Sequence, residues 1–281
     1  MAGRGILYNV VGSWDVYLKA AVRSAQSVKA AMPDTPIAVV GDRVIDGPFD
    51  HHISVSEADG YRAKILGARL TPFDQTVMLD VDTYVLADLA ELFELLAVFD
   101  MALAHAPIRI STPLDDVPKA FPEFNTGVIV YRRSPLVDAV LDDWLKEYDG
   151  LAGLDTPTWD QPSFRRVAYR TEALRIATLT PEFNQRFKMA GYLNQPVRIL
   201  HGWPDTRPRD FDYRKVADAL ETPLSGVDHW AVFSGRRVFD RSGRQVATFR
   251  PPWSRVRRVT RPIRSIAREV RTRVRPHAKR L

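Results

Sequence analysis

Asp80-Val81-Asp82 follows the apolar run Val77-Met78-Leu79. In an extended chain residues i and i+2 point the same way, so both carboxylates face one point at the mouth of a strand. Paired oxygen ligands of this kind suit a hard divalent cation, Mg²⁺ or Mn²⁺, with a diphosphate completing the shell. The triplet alone is a common surface pattern, and a second one, Asp210-Phe211-Asp212, lies in a Pro- and Arg-rich stretch with no strand before it. His201 ends another apolar run, Val197 to Leu200. It is either a structural histidine or the third member of an Asp/Asp/His set, and imidazole beside carboxylates favours Mn²⁺. Asp160-Gln161 stands at a helix start, where Asp serves as an N-cap or faces a substrate. Asn125-Thr126-Gly127 precedes a strand; it is a plain turn, or Gly allows close backbone approach and Asn reads hydroxyls.

The elements that must position these residues alternate. Ile6 to Val11 reads as a strand, Val16 to Met32 as a helix with Val22, Ala25 and Val28 on one side, and Ile37 to Val40 as a second strand. Such a βαβ unit implies a parallel sheet. Arg62 to Leu70 reads as a helix, Thr76 to Leu79 as a strand and Asp88 to Ala97 as a helix. Strands follow at 100–104 and 127–131, helices at 135–148 and 161–168, a strand at 197–200, and a hairpin over 232–249 around Asp240 to Gly243. Residues 106–123 and 151–157 read as loops. The pattern predicts a doubly wound α/β sheet, whose ligands bind at the carboxyl ends of the strands.

Of the 281 residues 45% are hydrophobic, enough for a sizeable core. There is no cysteine, which excludes disulfides, thiolate metal sites and cysteine nucleophiles. Twelve Lys or Arg and one acid, Glu269, occupy 250–281, whereas residues 1–249 carry 28 basic and 33 acidic groups. The expected division is therefore a mildly acidic folded domain over 1–249 and a basic amphipathic tail over 250–281. In the tail Val256, Val259, Ile263, Ile266, Val270 and Val274 recur at helical steps. That stripe suits an anionic membrane surface or a solvated tail, and few aromatics argue against nucleic acid. No window is long and apolar enough for a membrane span, so the expected location is cytoplasmic, peripheral at the inner face of the membrane.

The ordered set resembles the family 8 glycosyltransferases, the glycogenin-like and bacterial lipopolysaccharide sugar transferases. Val77 to Val85 resembles that family's strand and DxD motif, and Asp88 to Phe93 the helix after it. Phe124 to Tyr131 resembles its Asn-x-Gly strand, Asp160-Gln161 its Asp-Gln pair, and Ile199-Leu200-His201 the strand ending in the third metal ligand. The likeness spans roughly residues 5–210 and implies a GT-A fold, a mostly parallel Rossmann-like sheet with flanking helices. It implies a metal, Mn²⁺ or Mg²⁺, on Asp80, Asp82 and His201, a UDP-sugar donor, and transfer of a hexose with retention to a glycan, lipid-linked or protein acceptor. It also implies donor contacts from Lys64, Asn125 and the Tyr8-Asn9 strand, and sugar orientation by Asp160 and Gln161. Where the family has Gly, Lys and Pro after its histidine, this chain has Pro204, Arg207 and Pro208. Arg207 keeps a phosphate-matching charge. Two other classes fit parts of the pattern. A sugar-nucleotide pyrophosphorylase would need a Gly-rich loop where this chain has Val11-Gly12-Ser13. A non-catalytic protein would use only the tail, on membrane or RNA.

Overall fold

The computed structural model describes residues 2–12, 15–56, 60–106, 112–152, 159–186, 191–193, 195–202, 231–234, 237–239 and 245–248. The expectations for Pro204, Arg207 and Pro208, for Asp210-Phe211-Asp212, for the turn at 240–243 and for the basic segment 250–281 lie outside the described residues.

The chain opens with β1 (Ala2–Val10), α1 (Asp15–Ala31), β2 (Ile37–Gly41) and β3 (His51–Ser54). Next come α2 (Gly60–Arg69), β4 (Phe73–Leu79), β5 (Thr83–Val85) and a short α3 (Ala90–Glu94). β6 (Met101–His105), β7 (Phe124–Arg132), α4 (Pro135–Ala152), α5 (Asp160–Arg170) and β8 (Ile176–Thr178) follow. The remaining strands are β9 (Gln185–Arg186), β10 (Gly191–Leu193), β11 (Ile199–His201), β12 (Ala231–Ser234), β13 (Arg237–Phe239) and β14 (Gln245–Thr248).

The main sheet has the order β3-β2-β1-β4-β7-β6-β8. β1 pairs parallel with β2 and β4, β2 with β3, and β6 with β8. The expected mostly parallel sheet is present, with one strand reversed: β7 runs antiparallel to β4 and β6. This reversal puts the start of β7 beside the carboxyl end of β4, with Leu79 opposite Val128. From β1 the chain winds out to β3 and returns to β4 on the other side of β1. The crevice beyond the carboxyl ends of β1 and β4 is the switch point where such sheets hold ligands.

Both faces of the sheet are covered, so its central strands are apolar on both sides. Ile6, Tyr8, Val77, Leu79, Val128 and Val130 pack on the face under α1 and α3. Leu7, Met78, Ile129 and Tyr131 pack on the other, with Ile65, Val140, Trp144 and Phe164 from α2, α4 and α5. On α1 the buried stripe is Ala21, Ser24, Ala25 and Val28, with Val22 only partly buried. Small residues there let the helix lie close to the sheet. Across the sheet, Asp100 binds Arg132 at 2.7 Å and also accepts from the Arg175 backbone at 3.1 Å. His201 ends a strand, β11, as expected, but not one of the main sheet. β11 belongs to a separate three-stranded sheet, β5-β11-β9, with His201 opposite Thr83.

Candidate active site

The site is assembled from the ends of four segments. Asp80 and Asp82 occupy the turn between β4 and β5. The Asp80 amide donates to the Gly127 carbonyl at 2.8 Å, and the Asp80 carbonyl accepts from the Thr83 amide at 3.1 Å. The antiparallel pairing of β5 with β11 then brings His201 in from 119 positions away. After His201, Gly202 takes φ 97°, a conformation open mainly to glycine, and donates its N–H to the Asp82 carbonyl at 3.0 Å. One oxygen from each aspartate and one ring nitrogen of His201 lie within 4.8 Å of one another. His201 Nε2 is 3.3 Å from Asp82 Oδ1 and 3.7 Å from Asp80 Oδ2.

Gly127 has a role other than the expected approach to a ligand. A Cβ built on it would fall 1.9 Å from His201 Cε1. The missing side chain is the space the imidazole occupies.

Lys64 reaches from α2 into the centre. Its Nζ is 2.8 Å from Asp80 Oδ1, 3.0 Å from Asp160 Oδ2 and 3.3 Å from Thr126 Oγ1. Burial pulls its pKa down, but the Asp160 and Asp80 carboxylates outweigh that and hold it above the ordinary lysine value. Asp160 is not the cap of α5. Trp159 takes that position without a side-chain cap bond, and the Asp160 carboxylate, 2% exposed, accepts from Lys64 and the Thr126 hydroxyl. Gln161 accepts from Asn125 Nδ2 at 3.2 Å. Lys64, Asn125, Asp160 and Gln161 thus converge on the Asp80/Asp82/His201 group.

Asp80 and Asp160 share the one Lys64 ammonium, and Asp82 has only the influence of Arg186 and Lys64 beyond His201, which leaves an excess of negative charge. Desolvation raises the Asp80 pKa, against Lys64 and His201, with Asp82 and Asp160 adding to the rise. Desolvation also acts on Asp82, but neighbouring His201 outweighs it, helped by Arg186 and Lys64, and its pKa is lowered. The donor set, two carboxylates and one imidazole in a negatively charged pocket, fits a divalent cation.

The first strand requires a correction. Tyr8, expected at the donor, is fully buried on the α1 face, because strand alternation turns it away from the cleft. Its hydroxyl is 2.8 Å from Ser24 Oγ, which is 2.8 Å from Thr83 Oγ1, and Thr83 donates to the Asp80 carbonyl. Tyr8 therefore supports the acidic turn from behind. Asn9 points to the other face and lines a cleft of about 350 Å³ with Val10, Tyr17, Tyr61, Lys64, Asp80 and Asp82. Its amide oxygen lies against Gly67, where a Cβ would come within 1.6 Å.

Two features escaped the sequence reading. The Asn184 side chain bridges His201 and Asn125. Tyr61 and Trp159 form an exposed aromatic pair at the rim, ring centroids 6.2 Å apart. Partial burial, then the Asp160 carboxylate, pushes the Tyr61 hydroxyl up to about 12. An isolated aromatic at a helix start carries no signal that separates rim from core.

A sheet with the carboxyl ends of β1 and β4 at its switch point, bearing an Asp-x-Asp turn and one reversed strand, defines the GT-A class of fold. Solved structures share this fold. The galactosyltransferase LgtC, in complex with donor and acceptor sugar analogues, matches with a TM-score of 0.52 and 14% identity, over 79% of this chain and 98% of LgtC. The apo glycosyltransferase GlyE of Streptococcus pneumoniae TIGR4 matches with a TM-score of 0.53 and 14% identity, over 77% of this chain and 59% of GlyE. At that identity the likeness is one of fold. No sequence-family model matches the chain, and no curated protein sequence does.

Proposed function

We propose that this chain is a metal-dependent glycosyltransferase that moves a hexose from a UDP-sugar, with retention of configuration, to a glycan, lipid-linked or protein acceptor. The observation that carries the reading is the convergence of Asp80, Asp82 and His201 within 4.8 Å at the switch point of a GT-A sheet. These three residues would hold Mn²⁺ or Mg²⁺. The bound cation supplies Lewis acidity, neutralising charge that develops on the leaving diphosphate.

The rest follows from the chain's own groups. Asn9 and Val10 form the floor of the cleft at the end of β1 and Tyr17 its wall, where a nucleoside fits. Lys64 holds Asp80 and Asp160 in fixed positions and presents positive charge beside the diphosphate. Asp160 and Gln161, both anchored from β7, face the transferred sugar. Tyr61 and Trp159 offer flat apolar faces at the rim, which suit the carbon face of a pyranose ring.

The reading is tested by incubating the full chain with UDP-hexoses in the absence of acceptor. Slow release of UDP is expected with Mn²⁺ and is lost when EDTA is added. A folded protein that releases no UDP from any hexose donor, with either metal, contradicts it and favours a non-catalytic binding protein. Among the described residues no helix is long and apolar enough to cross a membrane.

A further inference from the structure

We infer that Asn184 is the positioning residue of this site: it sets which ring nitrogen of His201 carries the proton, and through Asn125 it couples that choice to Gln161. The inference rests on the metal-dependent reading above for its consequence, but its structural content does not.

The polarity of the hydrogen-bond chain is fixed by a backbone group. The Gly127 N–H can only donate, and it lies 3.2 Å from Asn125 Oδ1. That orients Asn125, whose Nδ2 then donates to Gln161 Oε1 at 3.2 Å. The same Asn125 oxygen is 2.8 Å from Asn184 Nδ2, so Asn184 donates there and turns its own oxygen to His201. His201 Nδ1 is 2.6 Å from that oxygen and must carry a proton. A neutral ring then presents a bare Nε2 lone pair to Asp80 and Asp82, which is what metal ligation needs.

The opposite orientation of Asn184 would reverse everything. Its NH₂ would face Nδ1, the proton would move to Nε2, and His201 would satisfy Asp82 directly. It would also set two amide oxygens against each other at 2.8 Å. Asn184, Asn125 and His201 are 6%, 3% and 2% exposed, so bulk water cannot readily substitute for a lost partner. The position is itself held. The Asn184 amide donates to the Pro181 carbonyl at 3.0 Å, and the next residue, Gln185, pairs with Leu200 in the strand that bears His201.

Two substitutions separate the halves of the role. Asn184→Asp keeps an acceptor for Nδ1–H but has no N–H for Asn125. Asn184→Leu keeps neither. The readouts are the ¹⁵N shifts of the His201 ring without metal, Mn²⁺ affinity of the nucleotide-free protein by titration, and donor turnover, each after melting curves show a folded protein.

The wild type is expected to show Nδ1–H at His201. Asn184→Asp should keep that tautomer and its Mn²⁺ affinity while turnover falls about tenfold or more, because its second carboxylate oxygen opposes Asn125 Oδ1 and displaces the amide that holds Gln161. Asn184→Leu should lose the tautomer preference and bind Mn²⁺ about 10–100-fold more weakly. A wild-type His201 with a bare Nδ1 and its proton on Nε2, or an Asn184→Leu variant with the wild-type tautomer, overturns the inference. A wild type with Nδ1–H that binds no Mn²⁺ leaves the Asn184 assignment standing and contradicts the metal-dependent function instead.

Discussion

Asp82→Ala is expected to lower metal-dependent donor turnover by about a thousandfold or more, in a protein that folds as the wild type does. The loss of one of three protein ligands removes several kcal/mol of charge stabilisation at the leaving group, and about 1.4 kcal/mol is tenfold in rate. The fold should persist because the turn is held by main-chain atoms. Gly202 donates to the Asp82 carbonyl, and Thr83 to that of Asp80, neither of which the substitution touches. Removing a carboxylate also relieves the crowding around Asp80, where Asp82 is one of the groups that raise its pKa. Turnover with and without Mn²⁺, paired with melting temperature, checks this. Full activity in Asp82→Ala would show that the acidic turn does not hold the metal.

Lys64→Met should be the most destabilising single change in the site, by about 3–5 kcal/mol at neutral pH. The ammonium lies between Asp80 and Asp160, and its removal leaves both without their cation in a desolvated pocket. The sign of the pH dependence is fixed by the shifts. Lys64 has its folded pKa raised, so its contribution is fully present below the ordinary lysine value and fades only as pH rises through the folded one. The wild type therefore keeps this contribution at every pH from neutral downward that leaves the carboxylates ionised. In the variant Asp80 loses the neighbouring charge that lowers its pKa, and the folded state takes up a proton there. The deficit should then be largest near pH 8 and shrink towards pH 5, as chemical denaturation at the two pH values would show. A deficit independent of pH would mean that the lysine stem, and not its charge, matters.

The parts of this architecture that could be read beforehand are those with a local signal. Val77-Met78-Leu79 before Asp80-Val81-Asp82 announces a strand and an i, i+2 carboxylate pair, and α1 and α4 are long enough for their periodicity to show. β5 and β9 are only three and two residues, too short for any period, and they exist because each pairs with β11, which the apolar run 197–200 announces. His201 could be noticed as a histidine after apolar residues. That it meets Asp82 depends on the β5–β11 register, which is a tertiary fact. The reversal of β7 was equally hidden, since an apolar strand reads the same in either direction. Tyr8 was misplaced because neighbours in a strand face opposite ways, and nothing before Ile6 tells which parity faces the cleft. Asn184 sits in Phe183-Asn184-Gln185-Arg186, with neither periodicity nor motif, and its importance lies wholly in its partners.

The claim that this is a metal-dependent nucleotide-sugar site is tested most directly by the melting temperature of the full chain with UDP alone, Mn²⁺ alone, and both. A ligand at about 100 times its dissociation constant adds roughly 2.7 kcal/mol, which for a chain of this size corresponds to a rise of about 5–10 °C. The predicted result is a rise of that order with UDP and Mn²⁺ together, little with UDP alone, and none in Asp82→Ala. A folded protein whose melting temperature moves with no nucleoside diphosphate, with or without Mn²⁺ or Mg²⁺, would contradict the claim.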